Sequence, residues 1–307
     1  ETTDIADLST TQIKALTTTQ VSGLETTDLN ALSTAQAQAL SAAQLKALTT
    51  TQVGALESTD LAELTSTQLG SLTTDQVKSI STTALADLTT TAVGGLTSAQ
   101  VGALSTEQLD ALSTTAIGAL TSTQVKGLTT TQVDSLDETQ AAALSSTAIK
   151  GLVATQLQAL STTALKALDT TQQEALAATQ IAALTTTQIA SLETTDIADL
   201  TETQIKALTT TQVKSLTTEN LNALDTTQQQ ALAATQIAAL TTTQIASLET
   251  TDIADLSTTQ IKALTTTQIG ALETTDLNAL TTAQTQALSA AQLKGLTTTQ
   301  IGALEST

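Results

Sequence analysis

A leucine recurs at every eighth residue along the whole chain. Of the 38 positions that are multiples of eight, 37 hold Leu and one holds Ile80, and no insertion or deletion breaks the register. We call each block of eight that ends at this residue an octad. Its consensus is [ST]-T-T-Q-[IVL]-x-A-L, as in residues 265–272. Whatever the chain folds into must therefore repeat with an eight-residue period.

The spacing of the apolar positions excludes one long helix and a plain strand. In a continuous α-helix, eight residues turn by about 800°, which leaves a drift of about 80° per octad, so the apolar stripe would wind around the helix. In a strand, positions five and eight have opposite parity and would point to opposite faces. Neither structure gives the octad a single buried side.

A short helix that restarts in every octad fits the pattern. With Thr17 as N-cap, its hydroxyl can accept from the backbone N–H of Gln20, whose side chain can reach back to the cap. Leu16 before the cap and Val21 at the fourth helical position have the spacing of a hydrophobic staple. Small residues at position seven, often Gly, are expected to ease the change of direction after each helix. The prediction is one helix of about two turns per octad.

Helices this short need neighbours, because isolated helices below about 12 residues are marginal in water. Repeats that cannot bury their own apolar face stack into solenoids. We therefore predict an all-α superhelical solenoid or rod, with Leu, Ile or Val, and Ala lining a narrow core. A β-solenoid is the alternative, since Thr, Ile and Val favour strands. The Gln or acid at position four and the abundant Ala and Leu favour the helical form.

The chain also contains duplications that are longer than one octad. Residues 1–59 reappear as 249–307 with seven differences, and residues 169–216 recur at 225–272. Both offsets are whole numbers of octads, so the octad is the modular unit and the length is adjustable. We interpret residues 1–307 as a single uninterrupted array of 38 full octads plus three residues, and as a segment of a longer chain.

The composition excludes several function classes. The chain has no Pro, Cys, His, Met, Trp, Tyr or Phe, and its 29 acidic residues against ten basic ones give a net charge of -19. Thiolate or imidazole chemistry, disulfides and Cys/His zinc sites are therefore excluded. Nucleic acid would be repelled, and no run of about 20 apolar residues suits membrane insertion. We predict no enzyme activity, no cofactor and no small-molecule substrate.

The charged residues occupy fixed octad positions. All ten Lys stand at position six, which is therefore predicted to face water in every octad. Acids at positions one, four and seven are interpreted as solvated surface charge as well, and exposed ion pairs among them would contribute only about 0–1 kcal/mol each.

Six octads begin with Glu and carry Asp at position four. Such paired carboxylates with nearby Thr hydroxyls suggest calcium ligands, although acids in a first helical turn also favour the helix dipole and the pairing could have been copied by duplication. No metal site is assigned to them. The pairs are Glu1 and Asp4, Glu25 and Asp28, Glu57 and Asp60, Glu193 and Asp196, Glu249 and Asp252, and Glu273 and Asp276.

Gln173 and Gln229 place an amide where Ile normally packs. Each lies in an octad that opens with Asp and is followed by an octad that opens with Ala. One interpretation is a polar contact point repeated along a rod. The other is a weak unit that is tolerated and was passed on by duplication.

The unit T-T-T-Q-I-A-S-L at residues 241–248 resembles the TTxQIxAL-type octapeptide arrays of very long proteobacterial secreted or cell-surface proteins, some of them adhesin-like or RTX-like. The resemblance covers the whole chain. It implies export, an extracellular or cell-surface location and a stalk-like or filamentous role. The chain departs from complete proteins of that kind because it contains no calcium-binding nonapeptides and no adhesive domain.

Modular length and the absence of catalytic motifs predict a structural protein. We expect an extracellular fibre, filament or stalk of a bacterial surface appendage, built from octads and self-associating into filaments through heterologous contacts. The alternatives are a solenoid spacer of an adhesin, a calcium-responsive form of that spacer, and a binding module with a concave surface. A binding module is disfavoured because it would need aromatic or Arg anchors that this chain does not contain.

Overall fold

The computed structural model describes residues 2–304, and within them every octad forms one helix and no strand occurs. The helices contain four to seven residues, which is less than two full turns. The predicted all-α architecture is therefore confirmed, and the β-solenoid alternative was wrong. Glu1 and the three residues of the last, partial octad lie outside the described residues.

The chain divides into two compact units, Glu1–Ala167 and Leu168–Thr307. The helices of the first unit are α1 Thr2–Ala6, α2 Thr10–Ala15, α3 Thr18–Ser22, α4 Thr26–Leu29, α5 Thr34–Ala39, α6 Ala42–Ala47, α7 Thr50–Gly54, α8 Ser58–Glu63, α9 Ser66–Ser71, α10 Thr74–Ser79, α11 Thr82–Ala86, α12 Thr90–Gly95, α13 Ser98–Ala103, α14 Thr106–Asp110, α15 Thr114–Gly118, α16 Ser122–Val125, α17 Thr130–Asp134, α18 Glu138–Ala143, α19 Ser146–Gly151, α20 Ala154–Ala159 and α21 Thr162–Lys166. Those of the second unit are α22 Thr170–Ala175, α23 Ala178–Ala183, α24 Thr186–Ser191, α25 Thr194–Ala198, α26 Glu202–Ala207, α27 Thr210–Ser215, α28 Thr218–Asn222, α29 Thr226–Ala231, α30 Ala234–Ala239, α31 Thr242–Ala246, α32 Thr250–Asp255, α33 Thr258–Ala263, α34 Thr266–Ala271, α35 Thr274–Ala279, α36 Thr282–Ala287, α37 Ala290–Gly295 and α38 Thr298–Leu304.

Most helices begin with the predicted capping box. In α3 the Gln20 N–H donates to Thr17 Oγ1 at 3.2 Å, and the Thr17 N–H donates to Gln20 Oε1 at 2.8 Å. The chain changes direction through two extended residues, the last of one octad and the first of the next, such as Leu96 and Thr97. No residue between 2 and 304 has a positive φ. The expected use of glycine's conformational freedom at the turns was therefore wrong.

Glycine serves close approach instead. A Cβ on Gly70, at position six, would lie 2.6 Å from the carbonyl oxygen of Gly95, at position seven three octads later. A Cβ on Gly151 would lie 2.6 Å from the Ser122 carbonyl oxygen. Octads three apart thus touch through their backbones where a side chain would collide.

Each unit is a solenoid in which an octad packs against octads three and four places away. In the first unit α10 packs against α7 and α13, and in the second α34 packs against α31 and α37. Side-chain hydrogen bonds between neighbouring turns span 23 to 31 residues, which corresponds to about three to four octads per turn. Positions five and eight form the predicted core of Ile, Val and Leu, most of them less than a tenth exposed.

Candidate functional site: the glutamine ladder and its acidic joints

The glutamine at position four is the polar side chain that connects successive turns. Gln100 is 2% exposed, and its Oε1 accepts from the Thr97 N–H at 2.7 Å as the capping box predicts. Its Nε2 donates to the carbonyl oxygens of Leu69 and Leu72, both at 2.8 Å, in the preceding turn. One amide therefore caps the start of its own helix and satisfies carbonyls at the end of another.

This arrangement recurs through both units, and we call it the glutamine ladder. Its members donate to carbonyls 31 and 28 residues earlier. They include Gln36, Gln44, Gln52, Gln68, Gln76, Gln100, Gln108, Gln124, Gln132 and Gln156 in the first unit, and Gln204, Gln212, Gln228, Gln236, Gln244, Gln260, Gln268, Gln284, Gln292 and Gln300 in the second. The hydrogen bonds with which these glutamines cap their own helices were predicted from the sequence, and their hydrogen bonds to the preceding turn were not.

Two of the acids at position four are buried, contrary to expectation. Asp196 is 7% exposed and Asp276 is 2% exposed. In both octads the Asp Oδ2 accepts from the backbone N–H of the Glu at position one, at 2.8 Å for Glu193 and 3.1 Å for Glu273. The Asp therefore makes the capping hydrogen bond that a glutamine makes elsewhere, but its carboxylate has no N–H to donate to the preceding turn.

The other predicted Glu/Asp pairs follow the same rule. Asp28, Asp60 and Asp252 are half-buried and accept from the N–H of their own position-one Glu at 3.2–3.3 Å. Asp4 is exposed, and its partner Glu1 lies outside the described residues. Between residues 2 and 304, no group of three or more acidic side chains is placed to hold a metal ion. Helix capping is thus the role that the geometry gives these aspartates.

Three acidic octads meet an earlier octad in the same way, and we call these pairs the acidic joints. In each joint the position-two Thr of the first octad donates to the position-seven carboxylate of the second. The position-five residue of the first octad, 23 residues before the position-four Asp of the second, is Ala or Gln instead of a branched residue. The joints pair residues 33–40 with 57–64, 169–176 with 193–200, and 225–232 with 249–256.

The two unusual glutamines are explained by this pairing. Gln173 Nε2 donates to the Leu168 carbonyl at 3.0 Å and to Asp196 Oδ1 at 2.9 Å. Gln229 Nε2 donates to the Leu224 carbonyl at 3.1 Å. Both carbonyls stand 28 residues before a position-four Asp, where a ladder glutamine would have donated.

The glutamine at position five thus replaces the donor that the Asp lacks. Gln173 and Gln229 are therefore buried hydrogen-bonding partners of the ladder rather than an exposed contact point. The sequence held a signal for this role, because the position-five exception and the position-four Asp recur together, 23 residues apart, at each joint.

Two of the joints enclose small cavities lined by the same nine places in the pattern. The cavity at Ala37 and Asp60 has a volume of about 20 Å³, and the one at Gln229 and Asp252 has about 10 Å³. The remaining lining residues are Leu, with one Ile in the second cavity. The difference follows from the residue at position five, because the Gln side chain fills space that Ala leaves open.

The carboxyl of Asp60 has a perturbed pKa. Burial raises the pKa of Asp60 above its ordinary value of 3.8, and the like charges of Glu57 and Glu63 raise it further. The hydrogen bond from the Glu57 backbone opposes these effects. This carboxyl therefore holds its proton more strongly than an exposed Asp does.

The lysines at position six lie at the surface, as predicted. Nine of them are exposed and Lys166 is half-buried. Lys78 pairs with Asp75 and Lys206 pairs with Glu202, both at 3.6 Å, with the side chains more than half exposed. Such pairs add little stability. An open surface groove in the second unit is lined by four carboxylates, those of Glu174, Asp199, Glu202 and Asp225.

The profile of the ALTTAQ repeat family matches residues 21–58, 53–90, 103–139, 189–226, 245–275 and 269–306, which together make up more than half of the chain. The chain belongs to the ALTTAQ repeat family. No curated protein matches it.

The hexapeptide A-L-T-T-A-Q stands literally at residues 279–284. It runs from the end of one octad through the N-cap to the ladder glutamine of the next, whose Nε2 donates to the Leu256 carbonyl at 2.7 Å. The predicted repeat array is thereby confirmed. Within residues 2–304 of this ALTTAQ repeat chain, no helix has the length and apolar character needed to cross a membrane.

Proposed function

We propose that the chain is a structural protein, a length-adjustable element of an extracellular fibre, filament or stalk on a bacterial surface. The observation that supports this function is the repeated inter-turn bond of the glutamine ladder. Each rung joins one turn to the next through the same two carbonyl positions, as in Gln76 to Leu45 and Leu48 and in Gln268 to Ile237 and Leu240. A scaffold needs such contacts repeated along its length, and it needs no reactive group.

The hydrogen bonds of the ladder all point in one direction along the array, and this supports growth of the array by the addition of octads. Every rung sends its N–H groups towards the preceding turn and leaves the carbonyls at its own helix end for the following turn. This contact is heterologous, because the two sides differ, and it does not close on itself. Whole octads can therefore be added without changing any existing contact, and a second copy of the array could continue the same pattern. Self-association into filaments is part of the proposal.

The proposed location outside the cell rests on the resemblance to octapeptide arrays of secreted and cell-surface proteins. Surface labelling of intact cells of the producing organism with an antibody against the octads would test it. Labelling that requires permeabilised cells would contradict an exposed location.

Two alternative functions can be tested separately. The acidic groove of Glu174, Asp199, Glu202 and Asp225 favours a binding module for a basic partner, and salt-sensitive binding of polylysine to that groove would support it. A calcium-responsive spacer rests on the paired Glu and Asp of the acidic octads in the sequence. Unchanged circular dichroism spectra on addition of calcium would exclude that spacer.

Negative-stain electron microscopy of the 307-residue chain without added metal tests the main proposal. We expect long filaments of uniform width with an axial repeat. Separate rods of one length would favour a spacer over self-assembly, and particles without an axial repeat would contradict both.

A pair of deletions makes the test sharper. Removal of residues 169–224 takes out seven whole octads and joins Leu168 to Asp225 in register. Removal of residues 169–220 takes out six and a half octads and breaks the register. The first variant is expected to form filaments of unchanged width, and the second is expected to lose them.

A further inference from the structure

The two cavities of the acidic joints contain more hydrogen-bond acceptors than donors. At Gln229 and Asp252, the Gln229 side chain is 4% exposed and its Oε1 has no hydrogen-bond partner. Asp252 lines the same cavity and uses Oδ2 to accept from the Glu249 N–H at 3.3 Å. A buried amide oxygen without a partner is costly and rare in folded proteins.

The cavity at Ala37 and Asp60 has the same deficit with more room. The Asp60 carboxylate cannot donate to the Leu32 carbonyl, which occupies the acceptor place of the ladder 28 residues earlier. The Leu29 carbonyl, 31 residues earlier, already accepts from the Leu32 N–H at 3.2 Å. Ala37 also lacks the amide that Gln229 supplies at the equivalent place in the other joint. Both sites therefore need a small group that donates hydrogen bonds.

We propose that each of these two cavities binds one internal water molecule, whose O–H groups replace the missing glutamine amide. A water needs a cavity of at least about 10–15 Å³ together with two to four polar partners. The volumes of about 20 Å³ and about 10 Å³ admit a single water, the second at the lower limit. At Asp252 the water donates to Gln229 Oε1 and to the carboxylate, and at Asp60 it donates to the carboxylate and to the Leu32 carbonyl.

The chemistry of the walls selects water over a metal ion. Calcium takes six to eight oxygen ligands and magnesium six. Apart from Gln229 and the two aspartates, the lining side chains are hydrocarbon. Too few oxygens face each cavity to replace the hydration shell of such an ion, whereas a water is satisfied by two or three of them.

Oxygen-17 magnetic relaxation dispersion of the full chain tests the proposal, because it counts water molecules that stay buried for longer than the protein tumbles. Two double variants restore the consensus core, Ala37→Ile with Asp60→Gln, and Gln229→Ile with Asp252→Gln. Each is expected to lower the count by one long-lived water. Helical circular dichroism at the wild-type level shows that the variant has folded.

Asp276→Gln is the matched control. Asp276 Oδ1 already accepts from Thr250 Oγ1 at 2.9 Å and Oδ2 accepts from the Glu273 N–H at 3.1 Å, and the residue 23 places earlier is the usual Ile253. This substitution is expected to leave the count unchanged. If folded double variants keep the wild-type count, the proposal is wrong.

A crystal structure of the unmodified chain at high resolution provides a second measurement that does not depend on variants folding. Density for one water within hydrogen-bond distance of Gln229 Oε1 and Asp252 supports the proposal. Clear density for the side chains around an empty cavity overturns it, and so does density for a bound cation.

Discussion

The joints at Asp60 and at Asp252 lack the same ladder glutamine but differ in how they respond to its loss. At Asp252, Gln229 reaches the Leu224 carbonyl at 3.1 Å and half-fills the cavity. At Asp60, Ala37 does neither, and the cavity is about twice as large. The comparison teaches that the N–H group of the ladder can come from either of two octads, since Gln229 supplies it where Asp252 cannot, and that the solenoid also forms where residue 37 is Ala and supplies none.

The regular ladder is the reference for both joints. At Gln132 one side chain makes the capping bond to Thr129 at 2.7 Å and two inter-turn bonds, to Val101 at 2.9 Å and Leu104 at 2.8 Å. In an acidic joint the Asp keeps the first bond and makes neither of the other two, and at two of the joints a position-five Gln donates instead to the carbonyl 28 residues before the Asp. The acidic joints therefore differ from a regular rung in the ladder bonds that connect consecutive turns, and the predictions below measure that difference.

Removing one regular rung is expected to have the largest effect. Gln132→Leu leaves the buried Leu104 carbonyl and the Thr129 N–H without side-chain partners, and a cost of about 2–3 kcal/mol in the free energy of unfolding is expected. Urea unfolding followed by circular dichroism measures it.

Gln12→Leu is the matched control for that substitution. Gln12 is exposed and caps its own helix at 2.8 Å, and no turn precedes it within the described residues. Its loss is expected to cost less than about 1 kcal/mol. Equal costs for the two variants would show that the inter-turn half of the ladder contributes nothing.

Replacement of Gln229 and Asp252 by the consensus residues, singly and together, tests whether the two residues compensate for each other. Gln229→Ile alone removes the donor to Leu224 and is expected to cost about 1–3 kcal/mol. The double variant with Asp252→Gln restores the consensus rung, and its stability is expected to return to within about 1 kcal/mol of wild type. A double-mutant cycle from urea unfolding gives the coupling energy. Additive costs would contradict the compensation.

Much of this fold follows from the octad alone. The cap at Thr17, the core at positions five and eight, and the exposed lysines are local or periodic properties, which one octad already displays. The inter-turn bond of ladder residues such as Gln44 is different, because it depends on how many octads complete a turn. That number is set by packing between helices 24 to 32 residues apart, and no single octad encodes it.

The residues of the acidic joints could be recognised in the sequence, but their contacts could not be predicted, for the same reason. Asp196 and Asp252 were interpreted from the octad as first-turn acids that favour the helix dipole or bind calcium, whereas their burial depends on the preceding turn. Gln173 looked like a defect because its partner, Asp196, lies 23 residues away and comes close only in the solenoid. Covariation of the two exceptions within the chain could have revealed the contact, but not its direction or its geometry.

Substitution of glycine by alanine at position six is expected to change the stability moderately, and the effect is expected to differ between Gly70, where octads three apart approach closely, and Gly94. Gly70→Ala places a Cβ about 2.6 Å from the Gly95 carbonyl oxygen and is expected to destabilise the first unit by about 1–2 kcal/mol. Gly94→Ala, also at position six, meets no atom within 4 Å and is expected to stabilise it by about 0.5–1 kcal/mol. Thermal unfolding compares them. Stabilisation by both would show that the turns can separate without cost.

The smallest expected effect is the pH dependence of the Asp60 joint. Since burial and the charges of Glu57 and Glu63 raise the pKa of Asp60, the folded chain binds this proton more strongly than the unfolded chain. The resulting stabilisation is complete below the ordinary pKa of 3.8 and is lost as the pH rises through the raised pKa of the folded state. The helices packed against α8, namely α5 and α11, carry no titratable side chain that would oppose this.

Asp60→Asn separates this group from the other carboxylates of a chain with a net charge of -19. The variant cannot ionise at residue 60, so its advantage over wild type in urea unfolding is expected to grow as the pH rises above 3.8. A carbon-13 titration of the Asp60 carboxyl, assigned by its loss in the variant, is expected to show a midpoint above that value. A midpoint at or below it would mean that the Asp60 carboxylate is fully hydrated, and the cavity at this joint would then be open to solvent rather than part of the core.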